Sequence, residues 1–380
     1  EQESYASHAH SPQRRIRRDG TRAPTQAAHS GISRINKSVT RFFLPLPRPR
    51  VTQSPFPESK GLAEILPLKD AFEPALALLA AGEVVAVPTE TVYGLAGDAT
   101  NGEAVARIFE AKGRPRFNPL IVHVCDLDMA RKIAVFDDAS LKLAQRFWPG
   151  PLTLVLKLRE DCGIHPLVTA GLDTVALRMP QGFARELIAA LGRPLAAPSA
   201  NNSGRISPTT AQAVADDLGA RIRLVADGGA TPVGLESTIV KAGPEGVRIL
   251  RPGGVTGGEV EAALGSPVLR GGAAGIEAPG MLASHYAPDA AMRLDAGEVR
   301  PGEALLAFGP RRIAGAEGAV AMLNLSETGD LREAAANLYG HIKALDRAGV
   351  ATIAVEPIPH DGLGEAIADR LGRAAAPRGR

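Results

Sequence analysis

Side chains that bind anions recur in three stretches of the sequence, each next to a short apolar run. The stretches are residues 84–124, 195–210 and 227–251. They carry threonine and serine hydroxyls, asparagine amides, lysines and arginines, which suit holding anionic and polar ligands more than they suit nucleophilic attack. Neither a Ser/His/Asp order nor a metal-ligating cluster stands out. We therefore expect a site that positions charged substrates without a protein-bound metal.

The elements that position the first stretch follow from its hydrophobic pattern. Residues 84–87 are apolar and β-branched, which predicts a buried strand that opens into a polar loop. Thr100 and Glu103 have the spacing of a capping box, so a helix is predicted from there to Gly113. The apolar run 120–124 predicts the next strand. The pattern is strand, hydroxyl-rich loop, helix, basic turn, strand.

The other two stretches repeat this arrangement. A short apolar strand delivers Ser199 and Asn201, and Ser207–Pro208 is predicted to begin a helix, with Ser as the N-cap. Strands at 239–240 and 247–250 come later. Ligands of open α/β sheets bind at the carboxyl ends of strands, so Ser199 and Asn201 are better explained as ligand contacts than as ordinary loop residues.

Three of the cationic side chains can also be explained without a ligand. Lys112 and Arg114 lie near the end of the predicted helix and equally fit a role in complementing its dipole. Arg178 lies in apolar company within a predicted strand. It is either an edge residue or a buried residue that needs a partner or an anion.

Composition limits the class of protein. A chain of 380 residues suits two domains. Its net charge of +2 is uneven, because residues 1–60 hold eleven lysines and arginines against four acidic residues, which leaves the remainder acidic. Two cysteines, Cys125 and Cys162, are expected to be free and inert thiols in a reducing compartment. No apolar run is long enough to span a bilayer, so a soluble protein is expected.

Residues 1–57 are rich in Arg, Ser and Pro and poor in acidic residues, and they lack a sustained hydrophobic period. We predict that they are disordered. Their composition fits an organelle-targeting or RNA-binding arm. The competing interpretation, which the missing initiator Met favours, is an upstream extension or an artefact.

A second domain is expected from about residue 291. Its predicted strands, at 304–308, 319–323 and 351–355, alternate with helical stripes, which is typical of a small parallel α/β unit. No Gly-x-Gly-x-x-Gly follows a strand, so no dinucleotide site is indicated. The Gly- and Pro-rich segment before this unit contains Tyr286, which is unexpected in a linker unless the linker docks on something.

Five motifs in order resemble the threonylcarbamoyl-AMP synthases, the YrdC-like proteins in their longer form. They are PTETVYGLAGDA, KGRPRFNPLIVHV, PSANNSGRISPT, ESTIV followed by RPG, and PGMLASHYAP. The resemblance runs from about residue 62 to the end. It implies an α/β protein: a YrdC-like twisted open-sheet domain at 58–265, a linker and lid over the active site at 266–290, and a smaller Rossmann-like parallel α/β domain at 291–380. Residues 1–57 lie outside it.

The resemblance implies a cytoplasmic nucleotidyltransferase that condenses L-threonine, bicarbonate and ATP into threonylcarbamoyl-AMP and releases pyrophosphate. Mg²⁺ would accompany ATP. A partner transferase complex would place the threonylcarbamoyl group on adenosine 37 of tRNA, so any tRNA contact by this chain would be weak and transient.

Residue roles carry over by position. Residues expected around threonine and its carbamate are Thr91, His123, Arg178, Ser199 and Ser237. Residues expected to face ATP are Lys112, Arg114, Asn118, Thr174, Asn201, Thr209, Arg251 and Tyr286. Of these, Lys112 and Arg114 are expected to be catalytic, because they would offset repulsion between two anionic reactants and stabilise charge on the phosphoryl oxygens.

Two other functions compete with this one. An RNA-binding or ribosome-assembly module would need a basic face with interleaved aromatic residues, whereas the part of the chain after residue 60 is acidic. A carbamoyl-transfer relative acting on carbamoyl phosphate would usually carry acylphosphatase and zinc-finger parts, which this sequence lacks.

Overall fold

The computed structural model describes residues 62–271, 277–281 and 284–377. The predictions for residues 1–57 lie outside this range. Within the described residues, the chain forms two sheets with helices packed against them. None of the helices found there is both long and apolar enough to cross a membrane.

The larger sheet and its helices occupy the first two thirds of the described chain. Its strands are β1 (Glu64–Pro67), β2 (Val85–Val87), β3 (Gly94–Asp98), β4 (Ile121–His123), β5 (Ala134–Val135), β6 (Leu152–Leu158), β7 (Thr174–Arg178), β8 (Leu195–Ala196), β9 (Leu224–Asp227), β10 (Thr238–Gly243), β11 (Gly246–Arg251) and β12 (Leu269–Arg270). Its helices are α1 (Leu68–Ala80), α2 (Gly102–Lys112), α3 (Leu127–Ile133), α4 (Asp138–Phe147), α5 (Pro166–Thr169), α6 (Phe183–Leu191), α7 (Ala211–Leu218) and α8 (Gly257–Leu264).

The strand order of this sheet is β1-β9-β2-β3-β8-β4-β7-β6-β10-β11-β12, with β5 paired to β6. The sheet is mixed, because β4 and β7 are parallel while β7 and β6 are antiparallel. This register places His123 beside Arg178, and Arg178 beside Thr153. Register partners project to the same face, so these three side chains share one face of the sheet.

The two faces of the central strands are covered differently. Val122, Leu154 and Leu177 pack into the main core with α2, α4 and α8. Side chains on the opposite face at this end of the sheet pack against Ala278 and Met281, which follow α8 in the chain. The face that carries His123 and Arg178 is therefore covered by the segment between β12 and β13, described at 277–281 and 284–290 and called the connecting segment below. By contrast, α1 and α6 cover the same sheet near β2 and β9.

The smaller sheet is four-stranded and parallel throughout, in the order β13-β16-β14-β15. Its strands and helices are β13 (Ala291–Arg293), β14 (Ala304–Ala307), β15 (Met322–Asn324), α9 (Leu331–Asp346), β16 (Thr352–Val355) and α10 (Leu363–Ala375). Its core continues into the part of the chain that forms the larger sheet, because Val92, Ile206 and Leu235 pack against residues of α9 and α10. The parallel α/β character expected from the sequence is confirmed, and its Rossmann-like description stays a prediction.

Two predicted helix starts are wrong. The cap of α2 is Asn101, whose side chain accepts from the amides of Glu103 and Ala104, while the Thr100 hydroxyl donates to Asp98. Helix α7 begins four residues after Ser207 with Thr210 as its cap. In both places the hydroxyl with cap spacing donates to a carboxylate, Thr100 to Asp98 and Ser207 to Glu236, and a later residue supplies the oxygen that accepts from the first helical amides.

A glycine after β11 allows a close approach that positions the site. A Cβ on Gly253 would lie 2.5 Å from the amide nitrogen of Thr238 and nearer still to the carbonyl oxygen of Glu236. These are backbone atoms, which cannot move aside like a flexible side chain. Gly253 therefore lets the turn after Arg251 pack directly against the backbone around Ser237.

Gly253→Ala is expected to lower the free energy of unfolding by about 2 kcal/mol or more, because the added methyl group overpacks a backbone contact. Urea-induced unfolding measures this. Gly258→Ala is the matched control, because a Cβ there meets nothing within 4 Å, and it should be neutral or stabilising by up to about 1 kcal/mol. Equal effects of the two substitutions would contradict the proposed close approach.

Candidate active site

A cavity of about 50 Å³ lies at the ends of β4 and β7, under the connecting segment. It is small beside the ~300–1,000 Å³ of ordinary ligand clefts and has room for only a few water molecules. The residues that line it are Thr91, Val92, Arg114, Ile121, His123, Arg178, Ala197, Pro198, Ser199, Glu236, Ser237, Arg251, Pro279, Gly280, His285 and Tyr286.

All five residues expected around threonine line this cavity. His123 and Arg178 are the last residues of adjacent strands. Thr91 lies in the turn after β2, where its hydroxyl is 2.9 Å from that of Thr89. Ser199 follows β8, and Ser237 precedes β10 with its hydroxyl 2.7 Å from that of Thr153. The structure thus brings together residues from five separate parts of the sequence.

Arg178 is buried and has a buried partner. Its guanidinium lies 2.7 Å from the Glu90 carboxylate, and both side chains are about 5% exposed. Glu90 also accepts from the amide of Gln181 at 3.1 Å, and the Nε of Arg178 donates to the carbonyl of Gly150. Of the two interpretations that the sequence allowed for Arg178, the structure supports the buried, paired one. Glu90 was not predicted as a site residue.

Arg114 and Arg251 bring further positive charge to the cavity. Arg114 donates to the carbonyls of Asn118 and Pro119, at 3.1 and 2.8 Å, and Arg251 donates to the carbonyl and hydroxyl of Ser237. Among the residues that the structure describes, neither guanidinium is bonded to a carboxylate. Burial, reinforced by Arg251, lowers the pKa of Arg114 to about 10, so it stays charged at neutral pH. Both arginines can therefore attract an anion.

Lys112 lies behind the cavity rather than in its lining. Its ammonium group donates to the carbonyls of Ser199 and Asn201, at 2.5 and 2.6 Å. Burial, with a contribution from the nearby Arg114, lowers the pKa of Lys112 well below its ordinary value. This lysine fixes the loop that carries Ser199, and it is nearly inaccessible in this arrangement.

Of the other residues expected to face ATP, some line the cavity and some lie outside its lining. Tyr286 lines the cavity, whereas four residues do not: Asn118, Thr174, Asn201 and Thr209. Asn118 and Asn201 support the loops through backbone and side-chain hydrogen bonds. Thr174 begins the strand that Arg178 ends, about 13 Å away along β7. The predicted contacts of these four residues with ATP stay predictions.

Several buried polar atoms around the cavity lack a hydrogen-bond partner among the described residues. Apart from Arg178, whose guanidinium forms an ion pair with Glu90, three of them belong to lining residues: Nε2 of His123, Nδ1 of His285 and the hydroxyl of Tyr286. An unsatisfied buried polar atom costs about 1–3 kcal/mol. Because all three lie at one cavity, water or a polar ligand held there can supply the missing partners.

Both histidines at the cavity are neutral. Burial, followed by the nearby Arg178, lowers the pKa of His123 well below its ordinary value. Burial lowers the pKa of His285 to about 3, with help from Arg114 and against the opposing effect of Glu236. Neutral imidazoles retain one acceptor nitrogen each, so they can accept from a substrate hydroxyl or amide.

Sequence reasoning missed Glu236 as a site residue. Its carboxylate accepts from the hydroxyls of Ser207 and Tyr339 and from the Nε of Arg370. Tyr339 and Arg370 are 103 and 134 positions away in the chain, so no local pattern could have revealed this role. His285, by contrast, adjoins the Tyr286 that marked the linker as unusual.

Two family profiles cover most of the described chain. Residues 77–253 match the family described as "Telomere recombination". Residues 255–376 match the family described as "Threonylcarbamoyl-AMP synthase, C-terminal domain". The two matches correspond to the larger sheet and to the smaller sheet with its helices.

Individual proteins are similar over nearly their whole length. A threonylcarbamoyl-AMP synthase of Bacillus subtilis (strain 168) is 41% identical over 321 residues, which cover 80% of this chain and 92% of that protein. A threonylcarbamoyl-AMP synthase of Schizosaccharomyces pombe is 36% identical, and the match covers 85% of that protein. The crystal structure of Pyrococcus abyssi Sua5 complexed with L-threonine matches with a TM-score of 0.74 at 36% identity, covering 83% of this chain and 96% of that one.

The low pKa of His285 predicts a pH dependence of stability. The unfolded histidine binds a proton near its ordinary pKa of about 6.5, whereas the folded one does not until about pH 3. Stability is therefore lost as the pH falls below about 6.5. At pH 5.0 this residue is expected to cost about 2 kcal/mol relative to pH 7.

His285→Gln should remove that loss, so its free energy of unfolding should fall less steeply between pH 7 and 5 than that of the wild type. Urea titrations at several pH values measure the slopes. His360→Gln, at an exposed histidine, should leave the slope as it is. Parallel curves for His285→Gln and the wild type would show that His285 is not held neutral.

Proposed function

The chain belongs to the threonylcarbamoyl-AMP synthase family, and from this premise we propose that the cavity under the connecting segment is where the reaction takes place. Enzymes of this family form threonylcarbamoyl-AMP, the donor for the threonylcarbamoyl modification of tRNA, and the chain is such an enzyme. The observation that carries the proposal is the convergence of Arg114, Arg178 and Arg251 with hydroxyl residues on one cavity.

The reaction joins two anions in two steps. The threonine amine combines with bicarbonate to give a carbamate, with loss of water. A carbamate oxygen then attacks the α-phosphorus of ATP. A new P–O bond forms, the bond from the α-phosphorus to the bridging oxygen breaks, and pyrophosphate leaves. Holding the carbamate in line with that bond supplies much of the rate.

The threonine side of the site consists of the five residues on the sheet and its adjoining loops. Arg178, oriented by Glu90, would bind a carboxylate or the carbamate. The hydroxyls of Thr91, Ser199 and Ser237 and the neutral His123 would supply hydrogen bonds to the remaining polar atoms. The likeness to a relative solved with L-threonine supports this assignment.

The ATP side is the half of the cavity bounded by Arg114, Arg251 and Tyr286. The two guanidinium groups, which have no carboxylate partner among the described residues, would neutralise the triphosphate and stabilise charge on the α-phosphoryl oxygens. Lys112 would act on catalysis through the Ser199 loop that it holds. Asn118, Thr174, Asn201 and Thr209 are proposed to complete the ATP contacts once the nucleotide is bound.

Mg²⁺ is proposed to enter with ATP, as the magnesium complex of the triphosphate. Both carboxylates beside the cavity already pair with arginines, Glu90 with Arg178 and Glu236 with Arg370. The described residues include no group of three or more potential ligands for a metal ion. The donor set thus suits a metal ion carried by its substrate.

The connecting segment is proposed to act as a lid. The enclosed space of about 50 Å³ is far smaller than ATP together with threonine, so Pro279, Gly280, His285 and Tyr286 are proposed to move when both enter. With the segment closed, water that would hydrolyse the carbamate or the mixed anhydride is excluded. On this basis we assign residues 58–265 to the catalytic domain, 266–290 to the linker and 291–380 to the second domain.

Bicarbonate is proposed as the third substrate, and a tRNA threonylcarbamoyl transferase complex in the cytoplasm as the acceptor of the product. The labile mixed anhydride favours direct or rapid delivery to that complex.

The experiment is pyrophosphate release from ATP by the purified protein, with threonine and bicarbonate present or omitted in turn. Release should require both. Arg114→Ala should lower kcat/KM by about 10²–10³-fold, the usual effect of removing a group that stabilises transition-state charge. Arg116→Ala, at an exposed arginine two positions away, is the matched control and should leave the rate within about twofold.

Release without threonine would indicate simple ATP hydrolysis and contradict the proposal. No release under any condition would argue against a synthase and favour the RNA-binding interpretation. An equal loss in Arg114→Ala and Arg116→Ala would show that the effect is not specific to the cavity.

A further inference from the structure

Glu236 connects the cavity to the second α/β unit. It lines the cavity and is only 6% exposed. Its carboxylate accepts from the Ser207 hydroxyl at 2.6 Å, the Tyr339 hydroxyl at 2.9 Å and the Nε of Arg370 at 2.8 Å. Two of these three donors come from α9 and α10. A residue of the cavity wall is therefore held mainly by helices of the other unit.

Arg370 contacts two parts of the cavity wall without lining the cavity itself. Besides Glu236, it lies over the ring of Tyr286, with its guanidinium carbon 5.1 Å from the ring centroid. It is 1% exposed and also pairs with its neighbour Asp369 at 2.6 Å. A cation over an aromatic face is attractive, especially when both are out of water. Arg370 thus bridges the catalytic unit and the connecting segment.

An uncompensated negative charge on Glu236 would weaken the binding of anions in this cavity. Burial would raise the pKa of Glu236, but Arg370, then Arg251 and Ser207, more than offset this and hold the pKa at about 2. The carboxylate is therefore ionised in the wall of a cavity that receives anions. Left without Arg370, it would repel them and attract the nearest free cation.

Arg251 is that cation. It lies on the same cavity and interacts electrostatically with Glu236, yet it donates hydrogen bonds to Ser237 and to the carbonyl of Pro279. If the Arg251 guanidinium paired with Glu236, it could no longer bind a phosphate group. The pairing of Glu236 with Arg370 is what leaves Arg251 available.

We propose that Arg370 is a positioning residue for the synthase reaction: by neutralising Glu236 it keeps Arg251 free for the triphosphate, and through Tyr286 it seats the connecting segment. The second unit thereby completes the active site, although none of its residues in α9 or α10 lines the cavity. This inference rests on the proposed function, because it assigns an anionic substrate to Arg251.

The test begins with Arg370→Gln in the full chain. The KM for ATP is expected to rise about tenfold or more, because the uncompensated carboxylate repels the triphosphate and draws Arg251 away from it. The kcat should fall as well, because Arg251 would no longer stabilise charge on the α-phosphoryl oxygens. Glu236→Gln combined with Arg370→Gln removes the uncompensated charge together with its partner. This double variant should recover the KM to within about threefold of the wild type.

Arg312→Gln is the matched control. Arg312 pairs at 2.7 Å with Glu356, a carboxylate that is only 4% exposed in the same unit but away from the cavity. Its loss should also lower the melting temperature, though less than the loss of Arg370 does, because the Arg312 side chain is 23% exposed. The KM for ATP should remain that of the wild type, because no cavity charge changes.

The outcomes separate the possible explanations. Equal KM values for Arg370→Gln and Arg312→Gln, or no recovery in the double variant, would overturn the proposal and leave Arg370 a purely structural residue. If Arg370→Gln does not fold, Tyr339→Phe decides. It removes one donor to Glu236 and should raise the KM for ATP several-fold, and an unchanged KM would overturn the proposal. A wild-type protein that releases no pyrophosphate would instead refute the proposed function.

Discussion

The site depends on the burial of four arginines around one cavity, because a guanidinium cannot leave water without partners. Each is satisfied differently. Arg178 pairs with Glu90 and Arg370 with Glu236, whereas Arg114 and Arg251 are held mainly by backbone carbonyls. Carbonyl dipoles orient a guanidinium without cancelling its charge. The Glu90–Arg178 and Glu236–Arg370 pairs therefore carry no net charge, so the net positive potential at the cavity comes from Arg114 and Arg251, while Arg178 would contribute hydrogen bonds to a substrate carboxylate or carbamate.

This separation is possible because successive side chains along a strand alternate between the two faces of the sheet. Along β4, β6 and β7 every second side chain enters the main core, so the intervening residues must face the other side. A helix over that side would have buried His123 and Arg178 permanently. The connecting segment covers it with a few small contacts, from Ala278 and Met281 among others, which cost little to break. The same strands can thus be rigid on one face and accessible on the other.

Much of the fold was predictable from the sequence, because strands such as β6 and helices such as α9 have strong hydrophobic periods. The wrong helix start at Ser207 and the missed strand β13 share a cause, because their partners, Glu236 and β16, lie far along the chain. The start at Thr100 was wrong for a local reason, since its hydroxyl donates to Asp98 and the adjacent Asn101 caps the helix. The cavity shows the same division. Thr91, Ser199 and Ser237 were recognisable from motifs at strand ends, whereas Glu236 owes its role to donors from α9 and α10, which no local pattern reveals.

The arrangement under the connecting segment is one that a ligand would stabilise. Tyr286 has a left-handed backbone with φ of +63°, which costs a residue with a side chain about 1–3 kcal/mol. Its hydroxyl and the Nδ1 of His285 lack partners within the described chain. Tertiary contacts already offset part of this cost, since Arg370 lies over the tyrosine ring. A substrate that supplied the missing hydrogen bonds would offset the rest, so closure of the segment and occupation of the cavity should be coupled thermodynamically.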